Sequence, residues 1–423
     1  MESEINGILN KIHKFCTFGS VLGLSRMEEL CEKLSHPEEN LNVIHVAGTN
    51  GKGSVCRYIY EVLRTSGYLV GLYTSPFITV FNERIEINGS YIDDEDLIYY
   101  SELVLNIAKE MKEPPTEFEL ITAIGLKYFS DKKLDYVILE VGLGGRGDST
   151  NIVKTPLISV ISSIGLDHTD RLGNSLAEIA WEKAGIIKNN VPVISAVIPE
   201  KAKEVISRTA MMKSAEFIDT SELEYEILNE DIYRSEYKAD GLNLTITMGG
   251  KHQITNSLTA YETLKKLRNM GKLSVTDDDI IKGFKKARQP GRFEVFNKDP
   301  YVIIDGAHNI DGVVALSSTL RTNFKDSKIL LVVGILKDKA YNNMAKELVK
   351  ITDEFIVTEP DNLRKLSAIR LSEALESNGA KCLIEPILKE AYDRAMEIKN
   401  DYDVIVFAGS LYLVSEVRSY LVD

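Results

Sequence analysis

Residues 43–54 read VIHVAGTNGKGS and run on into VCRYIYEVLRTSG: an apolar run, a glycine-rich turn, then a helix-forming segment. That order wraps backbone N–H groups around an anion and sets the partial positive charge of a helix N-terminus behind it. Lys52 has the reach to meet β- and γ-phosphates, and Ser54 offers a hydroxyl near their metal. The usual mononucleotide pattern is Gly, four residues, Gly-Lys, then Ser or Thr. Here Val46 holds the place of the first glycine and Gly53 follows the lysine. The segment is therefore read as a variant phosphate loop using Thr49, Asn50, Gly51, Lys52, Gly53 and Ser54. The chain is expected to bind a nucleotide.

Composition sets the frame for that loop. A length of 423 residues allows two or three domains with ample cores. A net charge of -13 argues against nucleic acid or an anionic membrane as partner, while leaving small anions open to a local cationic loop. Cys16, Cys31, Cys56 and Cys382 show no paired spacing, which suits a reducing compartment. MESEINGILNKIHKF lacks an apolar signal core, and no run of 18 apolar residues occurs. A cytoplasmic location is expected.

The apolar runs NVIHVAG, LVGLYT, DYVILEVGLG, LISVISSI and VPVISAV alternate with polar turns and helical patterns, the mark of a parallel sheet covered by helices. From Phe217 to Gly250 alternating Tyr, Ile, Leu and Thr suggest a small antiparallel sheet. Two helical stretches then lead to Gln289-Pro290-Gly291-Arg292-Phe293, where Pro-Gly breaks structure and makes a hinge. Beyond it YVIIDGAHN, KILLVVGIL, DEFIVTEP, CLIEPI and DVIVFAGS restart the α/β rhythm. The expected fold class is α/β. Residues 1–294 would form a large phosphate-loop domain with a mostly parallel sheet and a small antiparallel one. Residues 295–423 would form a smaller, Rossmann-like domain.

Four further positions carry chemistry. Ser75, after Thr74 at a strand end, can bind a metal or cap a turn. Glu140 closes the buried strand of LEVGLGGRGDSTN, where a carboxylate needs a cation: Mg²⁺ or a structural ion pair. His168, in SSIGLDHTDRLG, is read at the equivalent end of the next strand, beside the same metal. Lys183, on the helical run IAWEKAGIIK, reads by itself as a surface lysine.

Ten segments in order resemble the folylpolyglutamate synthase and dihydrofolate synthase family of Mur-type ligases: VLGLSRMEEL, HVAGTNGKGS, TSPFITVFNERI, LEVGLGGRGDSTN, GLDHTDRLG, EKAGIIK, PGRFE, DGAHN, GILKDK and GSLYLVSEVR. The resemblance covers nearly the whole chain. It implies a ligase that uses ATP to phosphorylate a carboxylate, the acyl phosphate then being attacked by the amino group of L-glutamate. Carried over by motif, Lys52 would hold the transferring phosphate. Ser75 and Glu140 would ligate one Mg²⁺, and His168 a second. Lys183 would be carbamylated and so become an anionic metal ligand, which reverses the surface reading. Asn256, Arg292, Asp305 and His308 would grip the nucleotide. Asp148 would accept hydrogen bonds from a pterin, with Phe118 stacking on it. The chain departs from the pattern at Gly147, where a bulkier residue is familiar, at Leu363, which replaces a proline, and at Phe77, where some members have His.

The implied small molecules are ATP, L-glutamate and tetrahydrofolate or dihydropteroate, with neither nucleic acid nor membrane as partner and a monomer as the expected state. Activity on dihydropteroate besides folates is the favoured form. Two other functions compete: a Mur-type ligase acting on a non-folate carboxylate, and a phosphate-loop ATPase that signals by conformation. Phosphate release that depends on glutamate and a pteridine carboxylate separates the ligase from the switch.

Overall fold

The computed structural model describes residues 2–15 and 23–422; Cys16, and Val21 and Leu22 of the VLGLSRMEEL segment, lie outside them. The chain falls into two compact units. One comprises Met1–Ile164, Asn174–Leu223 and Asn256–Phe284; the other comprises Gly165–Gly173, Glu224–Thr255 and Lys285–Asp423.

The first unit is built on eight strands: β1 (Val43–Ala47), β2 (Val70–Tyr73), β3 (Ile85–Ile87), β4 (Ser90–Tyr91), β5 (Tyr136–Glu140), β6 (Ile158–Ile161), β7 (Val193–Ser195) and β8 (Phe217–Asp219). Their order is β4-β3-β2-β5-β1-β6-β7-β8. All pairs are parallel except β2–β3 and β3–β4, the antiparallel edge. β1 is central, apolar along its length apart from His45, and buried at every position. Such a strand needs cover on both faces, which parallel crossovers supply. Register sets Val46 opposite Glu140, so the end of β5 lies beside the start of the glycine turn.

One detail differs from the sequence reading. Phe217–Asp219 pairs in parallel with β7 rather than joining the small antiparallel sheet, because a turn at Thr220–Glu222 ends it before the alternating pattern begins at Tyr225. Phe81–Arg84 forms a single helical turn that feeds the β3–β4 hairpin.

In the second unit β9 (Tyr225–Glu230), β10 (Ser235–Ala239) and β11 (Leu242–Ile246) form the small antiparallel sheet. Asp240 and Gly241, both at positive φ, make the tight turn between β10 and β11. A second sheet holds β12 (Glu294–Lys298), β13 (Tyr301–Asp305), β14 (Ile329–Val333), β15 (Glu354–Glu359), β16 (Lys381–Ile387) and β17 (Val404–Ala408). It runs β12-β13-β17-β14-β15-β16 and is parallel except at β12. Alternate residues along β13, β14 and β17 enter two separate apolar clusters, one holding Ile303, Leu331 and Val406 and the other Ile304, Val332 and Phe407. A sheet with apolar clusters on both faces is the doubly wound arrangement. Among the described residues no helix is long and apolar enough to cross a membrane.

Candidate active site

The glycine turn lies between β1 and the helix Lys52–Thr65. Two of its glycines are required by close approach. At Gly48 a Cβ would stand 2.0 Å from Ser162 Oγ, and at Gly51, with φ +79°, it would stand 2.3 Å from Asn256 Oδ1. The loop is held from β6's end: the Thr49 N–H donates to the Ser163 carbonyl at 2.9 Å and the Asn50 N–H to Ser163 Oγ at 2.8 Å. In return Ser162 and Ser163 hydroxyls donate to the Asn50 carbonyl at 2.7 and 2.9 Å. Ser162 and Ser163 were not singled out in the sequence, although both stand in the SSIGLDHTDRLG segment. Asn256 lies against the loop at Gly51.

Lys52 Nζ donates to the carbonyls of Gly48 and Thr49, at 3.2 and 3.3 Å. Lys183 is no surface lysine. It is 4 % exposed, and its Nζ donates to the same Gly48 carbonyl at 2.8 Å. Its helix, Leu176–Lys183, is capped by Ser175 and carries Lys183 at its last position. The loop after β5 packs directly on this helix end. A Cβ at Gly145 would meet the Lys183 carbonyl at 2.9 Å, and one at Gly185 would meet Arg146 Cα at 2.3 Å.

Glu140, buried at the end of β5, accepts from the Ser75 N–H at 3.1 Å. Ser75 precedes a cis Pro76, and the turn behind it is fixed by Glu83, whose carboxylate accepts from the N–H groups of Ile78, Thr79 and Val80. A carboxylate and a serine at adjoining strand ends are hard oxygen donors, the type that suits Mg²⁺. His168 is placed otherwise than expected. β6 ends at Ile161, where Ser162 and Ser163 follow, and His168 comes seven residues later at the start of the short helix Thr169–Leu172, in the second unit. Reading LISVISSI as the strand and placing His168 at its end overlooked that intervening turn.

On the pteridine side of the expectation, Phe118 lies half-buried over Gly142, whose Cβ would stand 2.3 Å from its ring, and 6.3 Å from the Tyr73 ring centroid. The neighbouring Glu119 is held by Arg26 through bonds of 2.9 and 3.1 Å, which ties the SRMEEL helix to the helix bearing Phe118. The Gly23 N–H donates to the Gly147 carbonyl at 3.0 Å, so the start of that motif also meets the loop after β5. Asp148 is buried and serves its own loop. Its Oδ2 accepts from the Leu143 N–H at 2.8 Å, and its Oδ1 from the Thr150 N–H and hydroxyl at 3.0 and 2.5 Å. Burial raises its pKa above the usual carboxylate value despite these donors.

The second unit gathers the remaining positions. Asp305, at the end of β13, accepts from the N–H groups of Phe293 and Ala307, both at 2.9 Å. Burial raises its pKa, with the Arg292 charge opposing the rise. Arg292 Nη1 reaches the Gly306 carbonyl at 3.4 Å, and His308 Nδ1 donates to that carbonyl at 2.8 Å. Arg292, Asp305 and His308 are thus brought together. Beside them stands Asp167, which the sequence reading left without a role. Lys339 donates to it at 2.6 Å, Asn309 at 2.9 Å, and His308 Nε2 lies 3.6 Å away. Burial opposes its ionisation, but His308, Lys339 and His168 outweigh it and hold its carboxyl well below the usual range.

The model of the Mur ligase middle domain matches residues 46–264, and that of the Mur ligase glutamate ligase domain matches residues 291–411. The chain is 37% identical to the dihydrofolate synthase/folylpolyglutamate synthase of Bacillus subtilis, over 97% of each. Among solved structures, the folylpolyglutamate synthase of Thermotoga maritima superimposes with a TM-score of 0.85 at 32% identity, over 100% of this chain and 97% of that one. Escherichia coli FolC in complex with DHPP and ADP does so with a TM-score of 0.88 at 30% identity, over 99% and 97%. The chain is a ligase of the Mur superfamily and belongs to its folylpolyglutamate synthase and dihydrofolate synthase family.

Proposed function

We propose that this enzyme uses ATP to join L-glutamate to tetrahydrofolates and also adds the first glutamate to dihydropteroate. The observation that carries this reading is the convergence of Lys52 and Lys183 on the Gly48 carbonyl, next to the strand end where Glu140 meets Ser75. Phosphoryl transfer needs charge neutralised at fixed positions more than it needs a reactive side chain. The B. subtilis relative is named for both activities and is matched end to end, which supports the bifunctional form.

In this reading Thr49, Asn50, Gly51, Gly53 and Ser54 cradle the phosphates while Lys52 follows the γ-phosphoryl group to the substrate carboxylate. The glutamate amine then attacks the acyl phosphate, and ADP and phosphate leave. Asn256, Arg292, Asp305 and His308 are assigned to the nucleotide by their motifs. Ser75 and Glu140 would hold one Mg²⁺ and His168 a second, while a carbamate on Lys183 would supply an anionic metal ligand; such cations would neutralise charge on the phosphate oxygens. Phe118 offers a ring face to the pteridine, and Asp148 shapes the same loop. Residues 1–294 carry the nucleotide chemistry and residues 295–423 the glutamate-ligase role, in a monomer of the cytoplasm.

The test is phosphate release measured with ATP and Mg²⁺, omitting glutamate or pteridine in turn, using dihydropteroate and tetrahydrofolate separately. Release should require both co-substrates and occur with either pteridine. Release that ignores them would overturn the ligase reading, and activity with one pteridine alone would remove the other half of the proposal.

A further inference from the structure

His45 occupies the middle of β1 and is fully buried, in a strand whose other members are Val43, Ile44, Val46 and Ala47. An aliphatic side chain is the ordinary occupant of such a position, since an imidazole brings two polar nitrogens out of water. Nδ1 has no hydrogen-bond partner, so the cost is left unrelieved on that side of the ring. Nε2 lies 2.8 Å from Thr150 Oγ1, and Thr150 Oγ1 lies 2.5 Å from Asp148 Oδ1. The Thr150 hydroxyl has one proton, and the carboxylate is the acceptor for it. Thr150 Oγ1 must therefore receive its other bond from His45 Nε2–H, which fixes the tautomer and the direction of the whole chain. Burial, with the Lys188 charge adding to it, pushes the imidazole down to about 3, so the ring is neutral throughout the working range.

We infer that His45 and Thr150 are positioning residues for the pteridine substrate: they fix Asp148, and with it the loop of residues 141–150, in register with the phosphate loop. Only Val46 and Ala47 separate His45 from Gly48, which follows directly on the end of β1, so the relay ties the loop after β5 to the element that holds the phosphates. The inference rests on the proposal that this loop faces the pteridine. The side-chain hydrogen bonds of these two residues run to each other and to Asp148, and neither residue belongs to the expected metal set.

The experiment compares KM for tetrahydrofolate, KM for ATP and kcat in His45→Leu, His45→Gln, Thr150→Val, Thr150→Ser and Asp148→Ala. His45→Leu and Thr150→Val should each raise KM for the folate by about tenfold, as the loss of one buried hydrogen bond would, and leave KM for ATP within about twofold. His45→Gln restores an N–H at similar reach and Thr150→Ser restores the hydroxyl, so both should recover most of the loss. Equal losses toward folate and ATP, or no recovery by Gln and Ser, would mean that the relay is packing alone and overturn the inference. If His45→Leu does not fold, the near-isosteric Thr150→Val decides. An Asp148→Ala effect on folate KM without a Thr150→Val effect overturns the relay while leaving the pteridine reading intact. No Asp148→Ala effect removes the pteridine reading of the loop itself, and the relay's role with it.

Discussion

Lys52 and Lys183 donate to one oxygen, the carbonyl of Gly48, at 3.2 and 2.8 Å. Sharing an oxygen at those distances keeps the two ammonium nitrogens within roughly 6 Å of each other. At an effective dielectric constant of about 20 such a pair repels by roughly 3 kcal/mol. An anion held close to both would offset that repulsion.

Lys52→Ala should abolish turnover and leave the fold intact, because the side chain reaches over the loop rather than into the apolar core. Removing one preorganised cation at a transferring phosphate costs about 10²–10³-fold in kcat. Steady-state turnover with far-ultraviolet circular dichroism as the folding control checks this. A variant within about tenfold of wild type would remove Lys52 from its assigned role.

Lys183 is the member of the pair expected to carry carbon dioxide. Carbamylation turns an ammonium that repels both Lys52 and a divalent cation into an anion that attracts them. Lys183→Ala should lose most activity and regain part of it in a short carboxylic acid such as acetate. Bicarbonate depletion should also lower wild-type activity reversibly. Full activity after exhaustive removal of carbon dioxide would end the claim.

Glu140→Gln and His168→Ala should both raise the Mg²⁺ concentration that gives half-maximal rate. For Glu140 the basis is its burial at a strand end with Ser75 beside it. For His168 it is the motif, since the residue sits on a turn in the other unit. Titrations of Mg²⁺ at saturating ATP separate the two. A shifted curve for Glu140→Gln with an unshifted one for His168→Ala would leave one metal site, not two.

How much of this was legible in the sequence depended on how local the determining interaction is. β1 and its loop were read directly because an apolar run, glycines and a helix start lie within twelve residues. The turn between Ile161 and His168 was not, because SSIGLD has no strong breaker beyond one glycine, and the strand looked longer than it is. Edge hairpin β3–β4 escaped because its strands are only three and two residues long. The tether of the phosphate loop by Ser162 and Ser163 joins positions 112 and 113 residues apart, and serines give no pattern that announces such a partner. Leu363, which departs from the family, is 98 % exposed, so that position tells nothing about packing. Asp167 was hidden for a related reason: its partner Lys339 is 172 residues away, and each alone reads as an ordinary surface charge.

That last pair yields the prediction most open to a purely physical test. Asp167 and Lys339 are 7 % and 6 % exposed at their side chains, within one unit. Lys339→Met keeps the length of the side chain and removes the charge, leaving a buried carboxylate that burial alone would push toward protonation. Breaking one partner out of such a pair costs about 3–5 kcal/mol. The sign of the pH dependence follows from the direction of the Asp167 shift. Its folded-state value lies below the ordinary 3.8, so its contribution is complete above about pH 4 and is lost as the pH falls below that toward the folded value. The difference in unfolding midpoint between wild type and Lys339→Met should therefore be large and constant from neutral pH down to about pH 5, then shrink on further acidification. Adding Asp167→Asn to Lys339→Met should recover part of the loss, since the amide carries no charge and still accepts from Asn309. A midpoint difference that stays constant through pH 3, or a double variant no more stable than the single one, would show that the pair is not what holds the segment of residues 165–173 in its unit.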